Sequence, residues 1–303
     1  MPQRQREHPI IVVTAPTGQI GQQVVRNLLK HDASVRVIAR DPSKLPSRIR
    51  SKVDIIEGSH ATPEIVKRAF DGAETVFWLV PADEKADSVM AAYVDFSRPA
   101  AAALKATRVK RVVSVTALGR NTPVAADAGY VTGSLAMDDL IASTGVDFRA
   151  LTMPSFMDNL LMQAASIKSQ GMFFSPISGD LKLPSCATRD IAAVASRLLL
   201  DPNWHGQEEL AVLGPENISF NDMAEIMSDV LGNPVRFQQI PFEAYKARFL
   251  QFGFSEAMTQ GMTDMARAKD RGLDLGVERT SENTTPTSFR QWCQDVLRPT
   301  LLG

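Results

Sequence analysis

Ile10-Ile-Val-Val-Thr-Ala-Pro-Thr-Gly-Gln-Ile-Gly21 runs from four apolar residues into a small polar turn that carries two glycines. Ile10 to Val13 read as a strand buried on both faces, as in a parallel sheet. A helical pattern follows, with Ile20, Val24 and Leu28 four residues apart on one face. Strand, glycine turn and helix N-terminus together make a site for a dinucleotide pyrophosphate. Gly18 and Gly21 let backbone approach phosphate, and the exposed first-turn N–H groups and helix dipole favour its charge. The glycine fingerprint is incomplete: Ala15 stands where a first glycine is expected, and Pro16 follows it. Alone, the stretch also fits an ordinary strand-to-helix turn, so the surrounding chain has to decide.

Working outward, Ser34 to Ala39 and Val53 to Glu57 read as second and third strands. Thr62 is placed as the N-cap, and Pro63 as the first residue, of a helix ending at Asp71-Gly72. Thr75 to Val80 is a fourth strand. Glu84 to Ala106 is an alanine-rich helix that Pro99 should kink or split. Arg111 to Thr116 and Phe148 to Thr152 supply a fifth and a sixth strand, with a helix over Val131 to Ser143 between them. This alternation predicts an α/β fold, a Rossmann-type doubly wound parallel sheet. The second half is mainly helical. Asp190 caps one helix, Glu209 to Leu213 is a short strand, and Ser219-Phe-Asn-Asp222 is a capping box. The expected organisation is a dinucleotide-binding domain over residues 1–153 and a partly interleaved, mainly helical substrate lobe over residues 154–303, packed over the strands' C-terminal edge.

Composition narrows the function. The chain has 303 residues and a formal net charge of −1, which leaves no electrostatic footprint for nucleic acid or an anionic membrane. Its apolar runs are far shorter than the ~20 residues that span a bilayer. The N-terminal nine residues are polar and make no secretory signal, so they read as a leader, and the expected location is cytoplasmic. Cys186 and Cys293 read as buried fillers, with no metal or disulfide pattern. His8 falls in the leader, and His31, His60 and His205 read as surface residues. Asp138-Asp139 and Glu208-Glu209 read as solvated charges. No metal site is expected, and homodimer formation is left open.

Arg40 ends the second strand roughly 20 residues past the glycine turn, where an acidic side chain would hold ribose hydroxyls and an arginine suits a 2′-phosphate. With Lys44 nearby, NADP(H) is preferred over NAD(H), although Asp41 beside Arg40 weakens that reading.

These residues are similar to those of the NmrA-like proteins, atypical members of the short-chain dehydrogenase/reductase superfamily. The resemblance rests on the glycine turn, Val-Ile-Ala-Arg40-Asp-Pro-Ser-Lys, Leu-Val-Pro81, Ala-Leu-Thr-Met-Pro154-Ser-Phe-Met-Asp-Asn159, Thr188-Arg-Asp-Ile-Ala192, Leu213-Gly-Pro-Glu216 and Thr285-Pro-Thr-Ser-Phe289, in order through almost the whole chain. It implies NAD(P) in a cleft between domain and lobe. Thr14, Thr17, Gly18, Gln19 and Ile20 would line the pyrophosphate and Arg40 the ribose phosphate. Leu79, Val80 and Pro81 would flank the cofactor's middle, with Thr116 and Met153, Pro154 and Phe156 near the nicotinamide.

The chain departs from the superfamily's Tyr-x-x-x-Lys: Tyr130 is followed four residues later by Ser134. Without a neighbouring ammonium, Tyr130 stays a neutral hydrogen-bond donor and a poor base, which disfavours reversible alcohol oxidation. Quinone reduction asks less, because its product anion is delocalised and placement against the nicotinamide supplies most of the catalysis. Met157, Phe254 and Met258 are the expected substrate wall, Met258 heading a stripe with Met262 and Met265 that also suits core packing. The leading expectation is an NAD(P)H-dependent reductase of a quinone or flat polycyclic aromatic ketone, an anthraquinone-type polyketide included. Its competitor is a non-catalytic NAD(P)-binding redox sensor acting through a protein partner.

Overall fold

The computed structural model describes residues 9–302, so the polar leader with His8 lies outside the described residues. Strands β1 (Ile10–Val13), β2 (Val35–Ala39), β3 (Asp54–Glu57), β4 (Ala73–Trp78), β5 (Arg111–Ala117) and β6 (Asp147–Met153) alternate with helices α1 (Gln19–Lys30), α2 (Ser47–Arg50), α3 (Pro63–Phe70), α4 (Phe96–Ala106) and α5 (Tyr130–Ala142). The second half adds β7 (Ser155–Phe156), α6 (Ala164–Gln170), β8 (Met172–Ser175), β9 (Leu183–Cys186), α7 (Thr188–Leu200), β10 (Gln207–Ala211), β11 (Asn217–Ile218), α8 (Phe220–Leu231), β12 (Arg236–Gln239), α9 (Phe242–Gln251), α10 (Glu256–Asp270), α11 (Phe289–Trp292) and α12 (Arg298–Leu302).

The central sheet has seven strands in the order β10-β6-β5-β4-β1-β2-β3, all parallel. This is a Rossmann-like α/β fold, with its strand order reversing between β1 and β4. Alternation along each strand splits the core into two layers. Val13, Val37, Phe77, Val113 and Leu151 face α1 and α7, where they meet Val24, Leu28, Ile191, Ala195 and Leu199. Val12, Ile38, Val76, Trp78, Val112 and Phe148 face α3, α4 and α5, meeting Val66, Phe70, Leu104, Met137 and Ile141. A further cluster around Met157, Phe173, Met227, Phe289, Trp292 and Leu297 gathers elements of the second half of the chain.

Several local expectations change. The second half contributes to the main sheet: β10 pairs with β6 from Gln207 opposite Phe148 to Ala211 opposite Thr152. As an edge strand it is largely exposed, which is why Gln-Glu-Glu-Leu-Ala carries so weak a strand pattern. β4 stops at Trp78, because the Leu79 N–H donates to Thr14 Oγ1 instead of a ladder partner, and Pro81 follows. Residues 84–88 stay outside the helix. Pro99 sits within α4, preceded by a π-helical segment over Ala91–Asp95. That wider turn accommodates the ring and the N–H that Pro99 cannot offer to the Asp95 carbonyl.

Thr62 precedes α3 without a side-chain cap. Asp190 lies inside α7, where its carboxylate accepts from Thr287 N and Oγ1 at 3.0 and 2.8 Å. The Ser219–Asp222 capping box is complete. His60 is buried, not a surface residue. Its Nε2 donates to Leu79 O at 3.1 Å and its ring packs edge-on against Trp78 and Phe96, so burial pushes its pKa down to about 4.

Candidate functional site

A cleft of about 460 Å³ opens at the C-terminal ends of β1, β4, β5 and β6, across the point where strand order reverses. At one end lies the glycine turn. Ala15 takes a left-handed φ of 48° and its carbonyl accepts from Gly18 N. A Cβ on Gly21 would sit 2.2 Å from the Ala15 carbonyl oxygen, so only glycine lets the first turn of α1 close onto this bend. Gly18 is the N-cap and has no side chain to offer, and the first turn carries no acid. The N–H groups of Gln19, Ile20 and Gly21 thus begin α1 without a side-chain cap at the edge of the cleft, an arrangement that fits a pyrophosphate.

Leu79 and Val80 form the middle of the floor, and Thr116, Met153, Pro154 and Phe156 continue it, together with Tyr130 from the N-terminus of α5. Of the expected cofactor residues, Gly18, Gln19, Ile20, Leu79, Val80, Thr116, Met153, Pro154 and Phe156 line the cleft, while Thr14, Thr17, Arg40 and Pro81 do not. Thr14 is wholly buried and clips β1 to the end of β4, with its Oγ1 2.8 Å from Leu79 N and 3.1 Å from the Phe77 and Leu79 carbonyls. Thr17, Arg40 and Pro81 are exposed.

The expected substrate wall needs correction. Met157 is buried in the cluster around Phe173 and Trp292, Met258 is fully buried against Tyr130 and Ala92, and Phe254 packs beside Met258. Met258 and Met265 lie on one face of α10 about two turns apart, and it is the later turn, with Met265, that reaches the cleft. Met162, Tyr93 and Met265 supply apolar surface instead.

Tyr130 meets Tyr93 edge-on at 6.1 Å, and its hydroxyl is buried with no partner. Burial, reinforced by Tyr93 and Glu84, raises its pKa above the ordinary phenol range, so it is a neutral donor and no base. Asp138, two turns further along α5, is buried and not solvated. Ser114 Oγ donates to its Oδ1 at 2.8 Å, and burial pushes its pKa up to about 7.

Sequence reading also missed polar groups that only the fold assembles. Asp158 accepts from Thr188 N and Thr188 Oγ1, both at 2.9 Å, and so caps α7 at the cleft's edge. Lys269, from α10, is the one lysine or arginine among the described residues lining the cleft, and it is ion-paired with buried Asp274. Asp158 and Thr188 sat within segments that carry the family resemblance. Lys269 had no local signal, since α10 lies more than a hundred residues along the chain from α5, against which it packs.

Comparison with known proteins adds relatives to this geometry. A model described as the NmrA-like family matches residues 7–286. The chain is 28% identical to an NAD(P)H azoreductase from Xenophilus azovorans, over 94% of this chain and 96% of that one. A solved nucleoside-diphosphate-sugar epimerase from Staphylococcus aureus is similar at TM-score 0.79 and 17% identity, covering 95% of this chain and all (100%) of that one. An NADPH-dependent quinone oxidoreductase from Escherichia coli, solved with NADPH, gives TM-score 0.76 at 19% identity, over 97% and 98% of the two chains. At such identities the structures speak for the fold.

Proposed function

The chain belongs to the NmrA-like family, and from that premise we propose that it is an NAD(P)H-dependent reductase delivering hydride to a quinone or another flat aromatic acceptor. The observation that carries this reading is one cleft with two unlike ends. An uncapped helix N-terminus suits a pyrophosphate, and an apolar wall of Val80, Tyr93, Tyr130, Phe156, Met162 and Met265 suits a planar ring system. The azoreductase and quinone oxidoreductase relatives act on substrates of that shape by name, which supports the same class.

In this reading the reduced nicotinamide supplies hydride, and the protein supplies placement. Gly18 to Gly21 hold the phosphates through backbone N–H groups. Arg40, at the end of β2, receives the 2′-phosphate and favours NADP(H). Tyr130 and Phe156 flank the acceptor, restrict its tilt and exclude water from its face. No strong base is required, because hydride addition to a quinone makes an oxyanion that accepts a proton.

Stopped-flow oxidation of NADPH and NADH across a panel of quinones, with an azo dye alongside, tests the proposal. Turnover of at least one planar acceptor, faster with NADPH, is the expected result. Tight NADPH binding without turnover of any acceptor would leave the redox-sensor alternative standing.

A further inference from the structure

Tyr130, Ser134 and Asp138 are spaced by four on α5 and share one face, running from the cleft down into the core. Tyr130 and Ser134 line the cleft, whereas Asp138 is 1% exposed beneath it. Ser134 offers the carboxylate no charge and spends its hydroxyl on the Val131 carbonyl at 3.0 Å. Opposite this face, Ser114 and Thr116 are two apart on β5 and therefore point the same way. Ser114 donates to Asp138 Oδ1. Asp138 Oδ2 and Thr116 Oγ1 are each buried without any hydrogen-bond partner. Thr116 nevertheless stands close enough to draw the carboxyl's pKa down, and it also lines the cleft.

We propose that Asp138 is the proton source for the reduced acceptor, delivering through the Thr116 hydroxyl to the oxygen that receives charge in the cleft. This rests on the reductase reading above. The balance is simple. The acceptor gains two electrons and one hydrogen as hydride from the reduced nicotinamide, leaving an oxyanion. The Thr116 O–H proton passes to that oxyanion, and Thr116 Oγ1 takes the Asp138 Oδ2 proton. Asp138 is left as the carboxylate until water reprotonates it after product leaves.

The surroundings suit a stored proton. Burial is the largest influence on the carboxyl and holds its pKa near 7, so both forms are populated around neutrality. The charged groups facing it are few. Arg120, from the loop after β5, favours the carboxylate, and Glu209 on β10 opposes it. Arg120 is itself occupied by Glu209 and by Asp139 at 2.9 Å. Tyr130, whose side chain also lines the cleft, starts from a much higher pKa and is the poorer donor.

The test compares wild type, Asp138→Asn, Thr116→Val and Thr116→Ser in steady-state reduction of a benzoquinone from pH 5.5 to 9, with NADPH affinity followed by fluorescence. Wild-type kcat should fall as pH rises through about 7. Asp138→Asn and Thr116→Val should lose about tenfold in kcat at pH 6 and lose that pH limb, with KM and NADPH affinity unchanged; Thr116→Ser should keep both. Infrared difference spectra between the two pH extremes should show a protonated carboxyl band in wild type that is missing in Asp138→Asn. Turnover with unchanged kcat and pH limb in Thr116→Val, or no such band, overturns the relay and leaves the reductase reading intact. Absence of wild-type turnover overturns both.

Discussion

Arg40 stands exposed at the end of β2 with no ion-pair partner among the described residues. Its neighbour Asp41 is committed elsewhere: its carboxylate accepts from Ser43 N at 3.0 Å and from Ser43 Oγ at 2.6 Å. The guanidinium is therefore available for a phosphate. Arg40→Ala should weaken NADPH about tenfold, roughly 1.4 kcal/mol, and leave NADH unchanged in fluorescence titrations. Equal weakening of both would remove the 2′-phosphate assignment. Tyr130→Phe should cost less than tenfold in kcat, because a phenol held above its ordinary pKa is a weak donor. A hundredfold loss would make Tyr130, and not the Asp138 route, the proton donor. Arg40 and Tyr130 could be picked out in the sequence because each follows a recognisable element. Asp138 could not: a carboxylate pair on a helix reads as solvated until the strand packed against it is known.

At the scale of elements, the close approach of α10 to α5 decides what the cleft contains. Gly129, at the start of α5, has φ of 54°, and a Cβ there would lie 1.9 Å from the Gly261 carbonyl oxygen of α10. The two helices meet through glycine, which brings Met265 and Lys269 to the cleft wall. Gly129→Ala should destabilise the protein by about 1–3 kcal/mol and reduce turnover through displacement of α10. A melting temperature equal to wild type in calorimetry would show that the contact yields without cost. The stretch at Ile10 to Gly21 was legible because strand, turn and helix are contiguous. In the α10 stripe Met258 is buried and Met265 lines the cleft, which the sequence does not show because a helix repeats its pattern and only its neighbour fixes which turn is covered.

For the whole molecule, two buried titrating groups make stability depend on pH in opposite senses. His60 is held near pKa 4, below its ordinary 6.5. The unfolded chain binds a proton that the native protein refuses, so this stability is present above pH 6.5 and is lost as pH falls towards 4, by roughly 3 kcal/mol. Asp138 acts in the opposite sense. Its native pKa of about 7 lies above the ordinary 3.8, so stability is fully present below 3.8 and declines as pH rises through 7. Between pH 4 and 6.5 the two contributions therefore oppose each other, and each shows fully in a calorimetric pH series only when the other group is removed. His60→Leu should leave melting temperature falling as pH rises from 4 to 7, and Asp138→Asn should leave it falling as pH drops from 6.5 to 4. A His60→Leu profile that matches wild type would show that the buried imidazole does not govern the acid side.

By itself the sequence determined the parallel α/β fold and the place of its glycine turn, because apolar runs, turns and helical repeats are contiguous signals set by local sterics and solvent exclusion. It also determined the family, through short segments in a fixed order. Tertiary structure alone decided that β10 joins the sheet, that His60 and Asp138 are buried, and that Lys269 and Met265 reach the cleft. Those facts depend on which surfaces meet across distant parts of the chain, and burial, which sets both a carboxyl's pKa and a side chain's access to ligand, exists only once they have met.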